Sequence, residues 1–592
     1  MISFRISAGE AKYRSSTLLL HSSRAFRVAA VLAFSFLLCL QTIGQTAESD
    51  GSETETLRGT VVNSVTQAPI PRALVYSADN RYTVLSDGDG HFEFTVPKSA
   101  SDMRGTSFGY SGPAARFWSL AANRRPLALM ARKPGYLDPP VEIGADEKTA
   151  SGNDITIPLL PEGIIKGRVT ATGAEPATGV AVQLLTRQVQ EGVLRWVPGP
   201  TVQANSAGEF RFAELLPGSY KLFTREWMDN DPVAQVPGSQ VYGFPPVYYP
   251  GGAEPSAAAA IELDAGQTVQ ADIEIQGKPY HQVRIPVANA DVNNGFSVTV
   301  EGQQGSRFEL GFNTNEQRIE GMLPAGNYTV QATTYGPNSV SGSVSIRVGD
   351  APVQGPTLVL GPNTNIAIEV KEEFGDPPPN NSAGWSDGKH SYTLRGPRLY
   401  LQARLESVDE MEPRGAALRP PTPPDDQSLA LEGVPPGRYW LRVSTSRGYI
   451  ASATMGSLDL LHQPFTVSSG TSAAIEITMR DDGGELDGTI SSAGQQTSAP
   501  ESGTGARAFV YCVPLPESAG QFQPLVVSED GKFNAQMMAP GDYRIVAFSV
   551  PQPNLPYRDA EAMKAYESQG QVVHLSAGQK TAVQLQNVIS AE

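Results

Sequence analysis

Residues 538–547 read Met-Ala-Pro-Gly-Asp-Tyr-Arg-Ile-Val-Ala, and the phrase has three earlier counterparts. They are Leu-Leu-Pro-Gly-Ser-Tyr-Lys-Leu-Phe from Leu215, Met-Leu-Pro-Ala-Gly-Asn-Tyr-Thr-Val from Met322 and Val-Pro-Pro-Gly-Arg-Tyr-Trp-Leu-Arg-Val from Val434. Each places an apolar residue, a Pro/Gly turn and a tyrosine ahead of alternating apolar positions. Proline presets φ at a turn corner and glycine supplies a permissive backbone. The alternation after Tyr220, Tyr328, Tyr439 and Tyr543 is that of a half-buried strand. Each ring is expected in a core, with its hydroxyl near the polar edge.

Working outward, a second phrase precedes the first in some units: DGDGHFEF from Asp87, NSAGEFRF from Asn205 and SEDGKFNA from Ser528. A third opens units: Leu57-Arg58-Gly59-Thr60-Val61-Val62, Ile165-Lys166-Gly167-Arg168-Val169 and Leu486-Asp487-Gly488-Thr489-Ile490. Alternating strands after a Gly turn close them, from Ala265, Ser469 and Ala577. The period is roughly 85–120 residues, far longer than a solenoid repeat, so each unit is expected to be a whole domain. The expected organisation is a signal peptide over 1–46 and five small antiparallel β-sandwich domains over 57–160, 161–277, 278–362, 363–482 and 483–592. This is an all-β tandem array. Pro377–Pro379 and Pro420–Pro424 are expected in loops of the fourth unit, because proline cannot sit in a central strand. One short helix is expected, with Asp559 capping AEAMKAYES.

Composition agrees. The chain has 592 residues, 40% of them hydrophobic, with 58 glycines and 47 prolines. That is enough apolar material for cores, with the turn residues of many short strands. Net charge is −16, and the first 45 residues carry five basic side chains against one acidic, so the remainder is more acidic still. Such a body repels phosphate backbones, which excludes nucleic acid as a partner.

Val28 to Leu40 reads VAAVLAFSFLLCL behind Arg24 and Arg27, with small and polar residues after it. This is the pattern of a secretory signal, and its core is short for a membrane span. An uncleaved anchor is the alternative. The mature chain is expected to have no membrane span and to lie in the periplasm, on the cell surface or outside the cell. Cys39 leaves with the signal, and Cys512 alone allows neither an internal disulfide nor a paired-cysteine zinc site.

The order of the three phrases resembles the bacterial carboxypeptidase regulatory-like domain. That family implies a transthyretin-like β-sandwich, close to the Cna-B and starch-binding-like folds. The first unit shows it in Gly59–Val62, Ala68–Pro71, Ala73–Val75 and Asp87–Phe94, then departs through an insertion over Lys98–Leu127 before Met130. The second unit carries all three phrases, the third and fourth mainly the tyrosine phrase, and the fifth regains DGxF and PGxY. The resemblance speaks to fold and little to function.

Catalytic chemistry is not expected. Of His91, His281, His390, His462 and His574, none begins a His-x-x-Glu pair, and no two stand four residues apart, so a zinc peptidase site is not formed. Gly384-Trp385-Ser386-Asp387-Gly388 matches the nucleophile-elbow string near His390, but no helix pattern follows and a solvated loop is expected. Asp87-Gly88-Asp89-Gly90 resembles part of a calcium loop, yet its twelfth position is Lys98, so a hairpin turn is expected. No catalytic residue, metal or cofactor is assigned, and a hydrolase is the least favoured reading.

The expected function is a non-enzymatic structural or protein-interaction role at the cell envelope. The alternative is carbohydrate binding through exposed aromatic loops, with polysaccharide or cell-envelope proteins as partners. The candidate ligand-binding residues are Tyr242, Phe244, Tyr248 and Tyr249, held among Pro245, Pro246 and Pro250. Phe117, Trp118, Trp196 and Trp227 are further aromatics near turns or in the insertion. The competing expectation is that the Pro-fixed aromatic loop buries its rings over a sandwich edge. Cys512, between Tyr511 and Val513, is expected to be buried and inert.

Overall fold

The computed structural model describes residues 54–589, except 78–80, 98–127, 138–142, 145–154, 174, 229–239, 290–294, 335–338, 376–381, 387–390, 409–414, 422–426, 492–507, 517, 519 and 529. The expected signal peptide, the insertion with Phe117 and Trp118, Pro377–Pro379 and His390 lie outside the described residues. Two compact units are formed, Met1–Lys133 with Asp138–Leu159, and Pro134–Leu137 with Leu160–Glu592.

In the first unit Thr54–Asn63 runs antiparallel to His91–Pro97 and parallel to the strand that begins at Ile155. A second sheet sets Leu74–Ser77 between Thr83–Leu85 and Ala128–Arg132. Val61 and Ile157 of one sheet and Val75 and Ala131 of the other are fully buried.

The second unit repeats this topology four times. The opening strands are Gly163–Ala171, Lys278–Ala288, Thr364–Glu373 and Gly484–Ile490. Each pairs antiparallel with the strand that leads into the tyrosine turn, namely Glu209–Leu215, Arg318–Pro324, Leu429–Val434 and Lys532–Met538. On its other side each pairs parallel with the closing strand of its module, in the fifth case Lys580–Leu585. The tyrosine strands Gly218–Thr224, Gly326–Thr334, Gly437–Thr445 and Gly541–Phe548 belong to the opposing sheets. Four separate apolar cores follow, centred on Ile165 and Leu222, Ile285 and Val330, Ile366 and Leu441, and Leu486 and Ile545. The architecture is all-β, a set of small sandwiches antiparallel apart from the parallel pairing of opening and closing segments in each.

The repeated phrases have one structural meaning each. The tyrosine hydroxyl turns back on its own corner: Tyr220 donates to Leu216 O at 2.6 Å, Tyr328 to Pro324 O at 2.8 Å, Tyr439 to Pro435 O at 3.0 Å and Tyr543 to Ala539 O at 2.6 Å. The ring therefore enters the core without an orphaned hydroxyl, and the bond fixes the turn between sheets. The opening glycine lies directly across the ladder from the phenylalanine of the second phrase, in the pairs Gly59 with Phe92, Gly167 with Phe210 and Gly488 with Phe533. A Cβ at Gly488 would stand 2.0 Å from the Phe533 ring, and one at Gly167 would stand 2.0 Å from Ala271 O. The aromatic ring fills the space that glycine leaves, which is why the two phrases occur together.

Asp87–Gly90 is a turn between sheets rather than within a hairpin. It joins Thr83–Leu85 of one sheet to His91–Pro97 of the other. Asp87 Oδ1 accepts from the Asp89 and His91 amides at 2.9 and 2.8 Å. Asn205 repeats this toward Ala207 and Glu209, both at 2.9 Å. The described part of the Gly384 string, Gly384 to Ser386, also differs from the expected loop, because Ala383–Ser386 is one arm of a two-stranded ladder with Ser391–Leu394. Cross-strand pairing there extends the backbone that the proline-rich approach had marked as irregular. The expected helix is one turn, Ala560–Met563, with Asp559 Oδ1 accepting from Ala562 N at 3.1 Å, and it continues as a 3-10 turn over Lys564–Tyr566.

Candidate functional site

The candidate aromatic residues are separated by the fold. Tyr242 is 51% exposed, whereas Tyr248 is 3% exposed and stacks on Phe223 with centroids 5.1 Å apart. Burial pushes the Tyr248 hydroxyl up to about 12. Phe244 lies tilted over Trp227 at 5.2 Å, and Tyr249 packs against the second core. Val241–Phe244 is itself a strand, paired through Val241 and Tyr242 with Tyr280 and Pro279 of the next module's sheet. This segment covers an edge that would otherwise present unpaired backbone groups. The four rings do not share one exposed plane. Trp196 lies beneath the Arg187 and Lys221 cations, at 5.5 and 4.7 Å.

The described histidines and the cysteine are placed in structural settings. His91 Nδ1 meets Thr60 Oγ1 at 2.8 Å and His574 Nδ1 meets Asp542 Oδ1 at 2.8 Å. His462 bridges two modules, with Nδ1 at 2.7 Å from Asp459 Oδ2 and Nε2 at 3.2 Å from Ser518 O. His281 is 6% exposed. Cys512 is fully buried, and burial pushes its thiol up to about 12, far from the thiolate that nucleophilic chemistry needs.

The most distinctive assembly is one that local spacing does not announce. The hairpin of Ala181–Gln190 and Val193–Gln203 in the second module carries its tip to the fourth and fifth modules. At the tip Gly192 has φ +79°, and its carbonyl accepts from Arg558 N at 2.8 Å. A Cβ on Gly192 would stand 2.5 Å from the Tyr557 ring, so only glycine permits this approach. Tyr557 is stacked on Phe522 with centroids 3.9 Å apart. Arg195, from the same hairpin, places Nη1 3.0 Å from Glu406 Oε1 and 3.2 Å from Ser407 O of the fourth module. Arg442 Nε takes the other carboxylate oxygen at 2.6 Å. The Arg195, Glu406 and Arg442 side chains are 8%, 17% and 9% exposed, so the triad is held away from water.

A cavity of about 970 Å³ opens at this junction, lined by all three modules. Seven of its lining side chains are cationic, among them Arg404, Arg442, Arg544, Arg558 and Lys564, and two, Glu191 and Glu567, are acidic. Several cations are compensated locally: Arg404 by Glu191 at 2.6 Å and Lys564 by Glu561 at 2.6 Å. Arg544 and Arg558 have no carboxylate partner among the described residues. Burial, and then the neighbouring Arg558 charge, push the Arg442 guanidinium down against the pull of Glu406. Among the described residues there is no group of three or more His, Cys, Asp or Glu that could hold a metal ion.

A second junction joins the second and third modules. Glu226 Oε2 accepts from Glu309 N at 2.8 Å, Arg225 pairs with the Glu309 side chain, and Ser306 Oγ donates to Ala253 O at 2.5 Å. Glu226 Oε1 and the Tyr280 hydroxyl are both buried, and the two side chains interact with each other. Burial raises the Glu226 carboxyl to about 7.

No family model and no curated protein matches the chain. Matches among solved structures include the Bacillus anthracis TIE protein, at 11% identity and TM-score 0.15, over 78% of this chain and 79% of that one. A streptococcal ancillary pilin matches at 14% identity and TM-score 0.18, over 52% of this chain and 100% of that one. The minor pilin GBS52 of Streptococcus agalactiae matches at 15% identity and TM-score 0.16, over 38% of this chain and 97% of that one. At these TM-scores the likenesses carry no argument, and the functional reading rests on the chain's own residues.

Proposed function

We propose that the chain is an exported, non-enzymatic β-sandwich protein with a structural or protein-interaction role at the cell envelope, its modules being of the carboxypeptidase regulatory-like kind. The observation that carries this reading is the buried Arg195–Glu406–Arg442 triad, which ties the second module to the fourth across more than two hundred residues of sequence. Breaking a buried pair by removing one partner costs about 3–5 kcal/mol, so such a contact holds modules in one arrangement. A protein that presents surfaces needs that, and it asks for no reacting group. Two of the chemistry-bearing side chains are spent in the same way, His462 on a bridge between modules and Cys512 within a core. Among the described residues no helix is long and apolar enough to cross a membrane.

The test is cellular. A C-terminally tagged chain, expressed in its own host, is expected in the envelope or medium, accessible to protein crosslinkers added outside the cytoplasm. Retention in the cytoplasm would overturn export, and turnover of ester, peptide or glycoside substrates by the purified chain would overturn the non-enzymatic assignment.

A further inference from the structure

The cavity at the three-module junction has properties that a purely structural role leaves unused. Its volume, about 970 Å³, is at the upper end of ordinary ligand pockets, roughly 300–1,000 Å³. Arg544, on the tyrosine strand of the fifth module, lines it, and its Nε is buried with no hydrogen-bond partner. Native proteins rarely leave a buried donor unpaired, and a charged group costs more to leave so than a neutral one. Arg558 lines it from the adjoining segment, its guanidinium 5.3 Å from the Tyr557 ring centroid and without a carboxylate. The rest of the wall includes apolar side chains, among them Trp440, Phe522 and Pro421.

We propose that this cavity binds an acidic oligosaccharide, with Arg544 and Arg558 receiving its carboxylates and the apolar wall receiving its ring faces. Guanidinium forks match carboxylates with two parallel hydrogen bonds, and neither Arg544 nor Arg558 has a carboxylate of its own among the described residues. A small free anion would fill a minor part of the volume and leave the apolar wall wet. A ligand with rigid rings and spaced carboxylates meets both kinds of surface. The chain's net charge is −16, so a cationic recess contrasts with its surroundings and focuses the field that draws an anion in. This site is separate from the Tyr242–Tyr249 segment. It rests on the export reading only for access to such a ligand.

Titration calorimetry of the full chain at low salt tests the proposal, with oligogalacturonate, alginate and hyaluronan fragments as probes. Saturable, salt-weakened binding of at least one is expected. Its methyl ester, which keeps the rings and removes the charges, is expected to bind at least tenfold more weakly. Arg544→Gln with Arg558→Gln is expected to lower affinity at least tenfold, and Tyr242→Ala to leave it unchanged. Arg558→Gln alone, at the less enclosed arginine, is expected to weaken binding by a smaller factor and serves if the double variant fails to fold. No binding of any acidic fragment overturns the proposal, as does unchanged binding by a folded arginine variant. Equal binding of poly-glutamate or citrate overturns the saccharide assignment in favour of a general anion site. A null titration leaves the cellular test of the structural role untouched.

Discussion

The hydroxyl of Tyr543 and the hydrogen at Gly488 Cα show how much of a module hangs on single atoms. Tyr543→Phe removes the donor to Ala539 O while keeping the ring in the core, and is expected to destabilise the fifth module by about 1 kcal/mol. Gly488→Ala drives a methyl group into a buried phenylalanine ring, and is expected to cost about 1–3 kcal/mol or more. Scanning calorimetry of the two variants beside the parent would give this order, and the reverse would show that the Phe533 ring yields easily. The Cys512 thiol is expected to resist a disulfide reagent until the module unfolds, because it is buried and its pKa lies near 12. The tyrosine was legible in the sequence because its role is local, a turn with a ring two positions on, whereas the glycine and the phenylalanine were legible only as two recurring phrases and the structure supplies their pairing across the ladder. The aromatic residues from Tyr242 to Tyr249 were less legible. Sequence reports that the rings are there, but their direction is decided by Phe223, Trp227 and Tyr280, which lie on other strands.

Between elements, the junction of the second and third modules carries a titrating group. The Glu226 carboxyl stands at about 7 in the folded chain against 4.5 in the free side chain. Between those values the folded state holds a proton that the unfolded chain has lost, so stability is greatest below about pH 4.5 and falls as pH rises through 7. The full difference is on the order of 3 kcal/mol. Glu226→Gln is expected to flatten this part of the stability–pH profile and to stabilise the junction at pH 8, as followed by hydrogen exchange across Val241–Phe244 and Arg307–Phe308. A profile unchanged by the substitution would assign the pH dependence elsewhere. No pattern in the sequence marks Glu226, because its environment is assembled from a different module.

For the second unit as a whole, the fold class followed from the repeated phrases, but the meeting of the second, fourth and fifth modules did not. Arg195, Glu406, Arg442 and Tyr557 occupy ordinary strand or loop positions, and nothing in their spacing tells them from surface residues. Glu406→Gln is expected to cost about 3–5 kcal/mol, since it leaves two buried guanidinium groups without their carboxylate. Faster proteolysis at the Glu191–Gly192 tip, with the module cores still protected, would locate the loss at the junction. Replacing all three members by apolar residues of similar volume is expected to restore much of the stability.

The first strand of each module lies beside a closing segment that points the same way, as in the ladder from Glu485 with Lys580 to Ile490 with Leu585. The chain therefore enters a module at one end of that ladder and leaves at the other. A pulling force along the chain loads the whole ladder in shear, so its hydrogen bonds must give way together rather than one after another. Each sandwich is built like a lap joint, made to carry tension along the polypeptide.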